Sequence, residues 1–172
     1  MIECLVGSEM CIRDSPNVEL FETKGELENV SSAWDLISGD VKPAEHILIY
    51  DESGDHPGLQ AAEIAANAGC KVEIMTPDRT VSPEIMAMNL VPYMRALQNK
   101  DVTFTVARRL LNLSRNGNKL KVEIGTDYSS LKTFSEYDQV ILNYGTLPVD
   151  ELYFQLKPFS QNEGAVDYEA LI

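Results

Sequence analysis

A polar turn between an apolar run and an alanine-rich stretch holds the side chains best suited to do chemistry. It reads Asp51-Glu-Ser-Gly-Asp-His-Pro-Gly58 and follows the apolar residues 47–50. A turn that joins a buried strand to a helix can bind phosphate, because the first amides of the helix are free and its dipole favours negative charge. Glycines in such a turn allow the tight bend, the approach of the backbone to phosphate, and the packing of helix on strand. The turn is therefore a candidate phosphate site.

Glycines and carboxylates in this turn have opposite effects on phosphate binding. Gly58 suits the helix-packing position and Gly54 suits the bend. Asp51, Glu52 and Asp55 bring carboxylates close to the place where a pyrophosphate would lie, and like charges there oppose binding. Two interpretations stay open: the domain keeps the fold without the cofactor, or it binds a nucleotide in an altered way.

Asp78 is the candidate for a contact with a ribose. It follows Gly58 by 20 residues, and an acid at about that distance binds the ribose 2′-hydroxyl in dinucleotide sites. It lies just past the end of a predicted strand and directly after Pro77, so a role in the turn is favoured. Arg79 could meet a 2′-phosphate, although an exposed structural arginine is the commoner case. His56 could titrate in the turn, but without a partnered nucleophile in the sequence we expect a surface histidine.

The elements that must position these residues alternate between strands and helices. Four apolar runs predict buried strands: 47–50, 71–75, 102–106 and 139–143. Helical spacing over residues 58–68 predicts a helix that ends at Gly69. Ser82 as the N-cap and Pro83 as the first helical residue predict a second helix, which runs to about Asn99.

A β-meander interrupts this alternation. Leu111 and Leu113 alternate with polar residues, Asn116-Gly117 predicts the hairpin turn, and residues 120–124 alternate on the way back. A third short strand is expected near residues 131–134. The order predicts an α/β fold: a Rossmann-like NAD(P)-binding-type domain with a parallel sheet and a β-meander, plus partial segments of an adjacent FAD-type domain.

Composition limits the classes of partner. The chain has 172 residues, 44% hydrophobic and 24% charged, enough for one core and pieces of a second. A net charge of −13 opposes binding to nucleic acid and to anionic membranes. No apolar run reaches the roughly 18 residues of a membrane span. The three cysteines have no ligand-like spacing, so we expect no metal site. We predict a cytoplasmic protein that binds neither nucleic acid nor membrane.

The chain is expected to divide into four segments. Residues 1–16 lack helical or strand periodicity, and we interpret them as a non-native, unstructured segment. Residues 17–44 would connect from an adjacent FAD-type domain, and residues 45–136 would form the Rossmann-like domain with its meander. Residues 137–172 would return to the FAD-type domain, which is truncated.

Four segments together resemble one family: 40–44, 50–63, 72–79 and 144–154. They are similar to the C-terminal region of NADH:flavin oxidoreductases of the Old Yellow Enzyme-like branch. That branch includes trimethylamine dehydrogenase, histamine dehydrogenase, dimethylglycine-catabolism proteins and N-methylproline demethylases. The resemblance extends over about residues 17–172.

The resemblance implies a larger enzyme of which this chain is a part. A (β/α)8 barrel with FMN and a four-cysteine [4Fe-4S] site would lie in the missing part, and small N-methylated amines would be oxidatively demethylated at that FMN. This fragment alone would be inactive and hold no catalytic residue. Its partners would be the missing barrel of the same polypeptide and an electron-acceptor flavoprotein. The cofactors implied for this domain are NAD(P)H, FAD or ADP. Ser53 and Asp55 replace glycines of the family's dinucleotide pattern, which weighs against NAD(P)H.

Eight residues make up the candidate cofactor-binding site: Asp51, Ser53, Gly54, Asp55, Gly58, Asp78, Gly145 and Thr146. Two alternatives stay open. A structural or docking domain for an electron acceptor would bind no nucleotide. A receiver-like signalling domain would use the acidic end of residues 47–52, with Thr146 and residues 157–159 as its later motifs. A receiver needs an aspartate after its third strand, where this chain has Ala107 and Arg108.

Overall fold

The computed structural model of the chain describes residues 14–17, 27–160 and 164. Most of the predicted non-native segment, residues 1–13, lies outside this range. Two compact units are present: a larger one, Pro16–Gly145, and a smaller one that combines Met1–Ser15 with Thr146–Ile172. The segment boundaries expected from the sequence at residues 44 and 136 stay predictions.

The described residues form ten strands, four α-helices and one short 3₁₀-helix. In chain order the strands are β1 (Asp14–Pro16), β2 (Val30–Ser32), β3 (His46–Asp51), β4 (Lys71–Met75), β5 (Val102–Thr105), β6 (Arg109–Asn116), β7 (Lys119–Thr126), β8 (Ser129–Tyr137), β9 (Gln139–Asn143) and β10 (Thr146–Pro148). The helices are α1 (Ala33–Ser38), α2 (His56–Asn67), α3 (Ala87–Leu97) and α4 (Glu151–Leu156), and the 3₁₀-helix is Lys157–Phe159.

A five-stranded parallel sheet is the centre of the larger unit. Its strand order is β2-β9-β3-β4-β5, and every neighbouring pair is parallel. The strand that comes last along the chain, β9, lies between β2 and β3. The predicted α/β fold with a parallel sheet is confirmed.

The two faces of this sheet carry separate cores, because side chains alternate along a strand. On one face, Ile47 and Ile49 of β3 pack with α1, α2 and α3. On the other face, Leu48 and Tyr50 of β3 pack with the inner side of the antiparallel sheet β6-β7-β8. The predicted meander therefore covers the sheet face that the helices leave free.

The meander contains a β-bulge that the sequence pattern did not show. The register of β6 against β7 shifts between Leu110 and Asn112. As a result Leu110 and Leu113 are buried and Leu111 is 39% exposed, so the prediction that Leu111 and Leu113 share a face was wrong. Residue 116 pairs with residue 119, which places the hairpin turn at Gly117-Asn118, one residue later than predicted.

Local capping signals in the sequence match the start of α1 and the end of α2, but not the start of α3. The side chain of Ser32 caps α1 in a capping box with Asp35. Gly69, with φ of +85°, follows α2 as predicted. The prediction that Ser82 caps the next helix was wrong. Ser82 has φ of +49°, outside the extended region that an N-cap needs, and α3 begins only at Ala87.

The smaller unit pairs β1 with β10 and continues into α4 and the 3₁₀-helix. Thr146 Oγ1 donates to Asp14 Oδ2 over 3.2 Å. The large side chains of α4 and the 3₁₀-helix are exposed: Leu152, Tyr153, Phe154, Leu156 and Phe159. Within the described residues, no helix combines the length and the apolar character that crossing a membrane requires.

Candidate functional site

The candidate site is the crevice where the carboxyl ends of β3 and β9 meet. From β3 the chain turns through α2 toward β4 and β5, whereas β9 and β2 lie on the opposite side. A parallel sheet binds ligands at such a reversal of strand order, outside the carboxyl ends of the strands. We call this place the switch-point crevice and define it by residues 51–58 and 143–145.

Asp51 is the buried centre of the crevice. It is the last residue of β3 and is 0% exposed. Its Oδ1 accepts from the backbone N–H of Gly54 over 2.9 Å and from Nδ2 of Asn143 over 2.8 Å. Ser82 Oγ donates to its Oδ2 over 3.4 Å. Burial raises the pKa of Asp51 above its ordinary value, and the hydrogen bonds oppose this rise in part.

Asn143 ties the turn to β9. Its Nδ2 donates to Oδ1 of Asp51 and to Oδ1 of Asp55, each over 2.8 Å, so both amide hydrogens are used. Its backbone oxygen accepts from the N–H groups of Glu52 and Ser53. Asn143 is not among the site residues predicted from the sequence. A signal was present, since this amide ends a strand whose preceding residues 140–142 are all apolar.

Two glycines make room for their neighbours in the crevice. A Cβ on Gly58 would lie 2.7 Å from Oδ2 of Asp51. A Cβ on Gly54, whose φ is +68°, would lie 2.7 Å from Cδ of Pro83. Gly58 therefore accommodates a carboxylate under the first turn of α2, and Gly54 accommodates the segment that leads to α3.

The N-terminus of α2 is acidic. Asp55 is the N-cap residue, but its side chain makes no capping hydrogen bond and is instead bonded to Asn143. Pro57, in the first turn, has no N–H to offer. His56 Nδ1 lies 3.2 Å from the hydroxyl of Tyr93 on α3. The helix end that would attract an anion thus carries a carboxylate at its cap.

Ser53 and Gly145 face each other across the crevice. The hydroxyl oxygen of Ser53 is buried and, among the described residues, has no hydrogen-bond partner. This hydroxyl oxygen would lie 3.9 Å from a Cβ placed on Gly145. The φ of Gly145 is +78°. This pair offers the crevice a single neutral hydroxyl as a polar group.

Glu52 forms an ion pair outside the cluster of Asp51, Asp55 and Asn143. It accepts from the hydroxyl of Tyr50 and from Nη1 of Arg109, at the start of the meander. Arg109 also binds Asp127 through Nε and Nη2, over 2.9 and 3.0 Å. These bonds, first that to Asp127, raise the pKa of Arg109. Burial and Glu52 raise the pKa of the Tyr50 phenol.

The structure brings six of the eight predicted residues together: Asp51, Ser53, Gly54, Asp55, Gly58 and Gly145. Asp78 lies at the turn after β4, where its N–H donates to Thr76 Oγ1 and its carbonyl accepts from Ala107. Thr146 belongs to the smaller unit. Arg79 donates from Nε to the hydroxyl of Tyr128, which is a contact with the meander.

Curated proteins match the chain over most of its length. It is 54% identical over 157 residues to the probable N-methylproline demethylase of Rhizobium meliloti (strain 1021), which covers 91% of this chain and 23% of that protein. It is 33% identical over 151 residues to the N,N-dimethylglycine/sarcosine dehydrogenase of Chromohalobacter salexigens, with shares of 88% and 22%. The chain thus spans less than a quarter of the length of these relatives, and no protein-family model matches it. The resemblance inferred from the sequence is confirmed.

Solved structures share the fold. A 2-naphthoyl-CoA reductase matches with a TM-score of 0.69 and 18% identity, over 88% of this chain and 21% of that chain. The water-forming NADH oxidase of Lactobacillus brevis, bound to NADH, matches with a TM-score of 0.61 and 21% identity, over 85% and 31%. Identities this low show the fold alone, which this chain shares with part of each of these two proteins.

Proposed function

We propose, on the premise that this chain is homologous to a segment of N-methylproline demethylase and of dimethylglycine/sarcosine dehydrogenase, that it belongs to an oxidoreductase acting on small N-methylated amines. The reaction of the parent protein would be oxidative N-demethylation. The observation that carries the proposal is the 54% identity to the probable N-methylproline demethylase over 91% of the chain.

We assign different roles to this chain and to the rest of the parent protein. Oxidation of an amine removes two electrons, and a flavin cofactor supplies an acceptor for them. The switch-point crevice presents carboxylates, an amide and a hydroxyl. Such groups can hold a proton or orient a neighbour, but they cannot take up electrons. We therefore assign FMN and the [4Fe-4S] cluster to the remainder of the polypeptide, with an electron-acceptor flavoprotein as the external partner.

The role that we assign to this chain is architectural. The resemblance also implies NAD(P)H, FAD or ADP on this domain, and the residues of the switch-point crevice do not fit a dinucleotide pyrophosphate there. Asp51 and Asp55 occupy the turn, and the backbone N–H of Gly54 is already bonded to Asp51. The parallel sheet and its two cores would then support the neighbouring parts of the parent protein.

A chimera tests the proposed function. The homologous segment of the Rhizobium meliloti protein is replaced by the matching 157 residues of this chain. The chimera should oxidise N-methylproline, with an artificial dye as acceptor and formaldehyde as product, at a rate within about tenfold of the parent. A control chimera carries the corresponding domain of the Lactobacillus brevis NADH oxidase and should be inactive. A folded, flavin-loaded chimera without activity would refute the proposal.

A further inference from the structure

We infer that the switch-point crevice is closed to dinucleotides because the chain's own side chains, Asp51 and Asp55 joined by Asn143, take the place of a bound pyrophosphate. The inference rests on the architectural role proposed above and states why this domain binds no dinucleotide. The two tests are separate, because the chimera measures the reaction of the parent protein and the experiment below measures nucleotide binding by this chain.

Asp51 fills the space at the start of α2. The carboxylate of Asp51 lies under the first turn of α2, so close that a Cβ on Gly58 would be 2.7 Å from it. A glycine at this position in a dinucleotide site allows the helix to pack close to the strand. Here the freed space is filled from within by an acidic side chain.

Backbone donors of the turn are bonded within the protein. A phosphate at this turn would need backbone N–H groups. The N–H of Gly54 donates to Asp51, and those of Glu52 and Ser53 donate to the backbone oxygen of Asn143. Pro57 has no N–H. The amides of residues 52–54 are thus already used by the protein itself.

Charge also opposes a pyrophosphate in the crevice. Within the part of the chain that the structure describes, the groups that donate to the carboxylates of Asp51 and Asp55 are the amide of Asn143, the N–H of Gly54 and the hydroxyl of Ser82, all of them neutral. The guanidinium of Arg109 is bonded to Glu52 and Asp127 instead. A pyrophosphate would therefore meet two acidic side chains whose donors are uncharged, in a partly buried crevice where repulsion is weakly screened.

The test measures binding of ADP, NADH and NADPH to the full 172-residue chain by calorimetry and by thermal unfolding. The unaltered chain should show no binding up to about 1 mM. The double variant Asp51→Ala/Asp55→Gly removes both carboxylates, and it frees the space beside Gly58 and the backbone N–H of Gly54. It should gain at least about tenfold in affinity for one of the three nucleotides.

A matched control removes the same charge elsewhere. Glu45 and Asp101 precede β3 and β5, at the opposite edge of the sheet. The variant Glu45→Gln/Asp101→Asn should bind no better than the unaltered chain. Tight binding by the unaltered chain would overturn the inference. So would a folded Asp51→Ala/Asp55→Gly variant, verified by its circular dichroism and unfolding transition, that gains no affinity.

Discussion

Asp51 and Asn143 are the last residues of two neighbouring parallel strands, paired in register, and the side-chain amide of Asn143 donates to the carboxylate of Asp51 over 2.8 Å. They are 92 residues apart in the chain. The bond therefore joins the start of the Rossmann-like unit to its final strand at the point where the strand order reverses. A ligand in a related fold would lie at this point, and here it is bridged by protein.

Removal of the Asn143 amide should destabilise the domain. Asn143→Ala removes one hydrogen-bond donor from the carboxylate of Asp51 and one from that of Asp55. A buried polar group that loses its partner costs about 1–3 kcal/mol of stability. Asn143→Asp should cost more, because it adds a third carboxylate to the same place. Urea unfolding gives the free energies. Equal stability of Asn143→Asp and the unaltered chain would show that the bridge does not exist.

Neutralising Asp51 should change how stability depends on pH. Its pKa is raised in the folded state, so the native protein holds this proton at pH values where the unfolded chain has lost it. This group's contribution to the free energy of unfolding is therefore full in acid and falls as pH rises through the raised pKa. Asp51→Asn can keep the same hydrogen bonds, with its amide turned to Ser82. Its stability relative to the unaltered chain should rise as pH increases above the ordinary pKa of an aspartate, about 4.

Asp127→Asn supplies a control of opposite sign. The Arg109 guanidinium lowers the pKa of Asp127, so its contribution to stability is present above the ordinary pKa and is lost in acid. The deficit of Asp127→Asn relative to the unaltered chain should therefore grow as pH rises. Urea unfolding across the same pH range measures both differences. Parallel pH profiles for the two variants would contradict the assigned shifts.

Gly58→Ala should destabilise the domain more than Gly125→Ala, although an added Cβ would overlap a neighbouring side chain at both positions. A Cβ on Gly58 would lie 2.7 Å from the Asp51 carboxylate, which several hydrogen bonds hold in place. Forcing a methyl group into such packing costs about 1–3 kcal/mol. A Cβ on Gly125 would lie 2.6 Å from the tip of Leu111, but that side chain is part-exposed and can turn away. Gly125→Ala should change stability by less than about 0.5 kcal/mol.

Arg109→Lys should weaken the link between the parallel sheet and the meander although it keeps the charge. Arg109 binds Asp127 with two parallel N–H groups and Glu52 with a third, and an ammonium group cannot reproduce that fork. The side chain is about one-third exposed, so the expected loss is modest, about 1 kcal/mol. Urea unfolding measures it. If Arg109→Lys and Arg109→Met lose the same stability, the residual charge of the lysine has no effect.

The regular parts of the fold could be predicted from residue patterns because each pattern has one dominant physical cause. Residues 71–75 and 139–143 were assigned to strands with the bounds that the structure has, since runs of apolar residues suit strands buried on both faces. Gly69 was assigned to the end of a helix because a left-handed residue is needed there.

The departures from prediction arise where a distant contact overrides a local signal. Ser82 has the residue type of a helix cap, but its hydroxyl donates to Asp51, 31 residues away, and its backbone is left-handed. Leu111 fits an alternating strand, but the bulge after Leu110 shifts the alternation by one residue. Asn143 was overlooked because its partners, the carboxylates of the turn, are distant along the chain.

The position of β9 between β2 and β3 determines when this sheet can be completed during folding. β3 pairs on one side with β4, which lies about 25 residues later in the chain. On its other side it pairs with β9, residues 139–143, which are made much later. The pairing of β9 with β3 closes a long loop of chain. The entropic cost of closing this loop is offset only when the contacts between the two strands have formed. Until then β3, in which five of six residues are buried, has an open edge of unpaired backbone groups, which is a surface to which another chain can pair. Newly made chains are therefore most exposed to aggregation before β9 is synthesised.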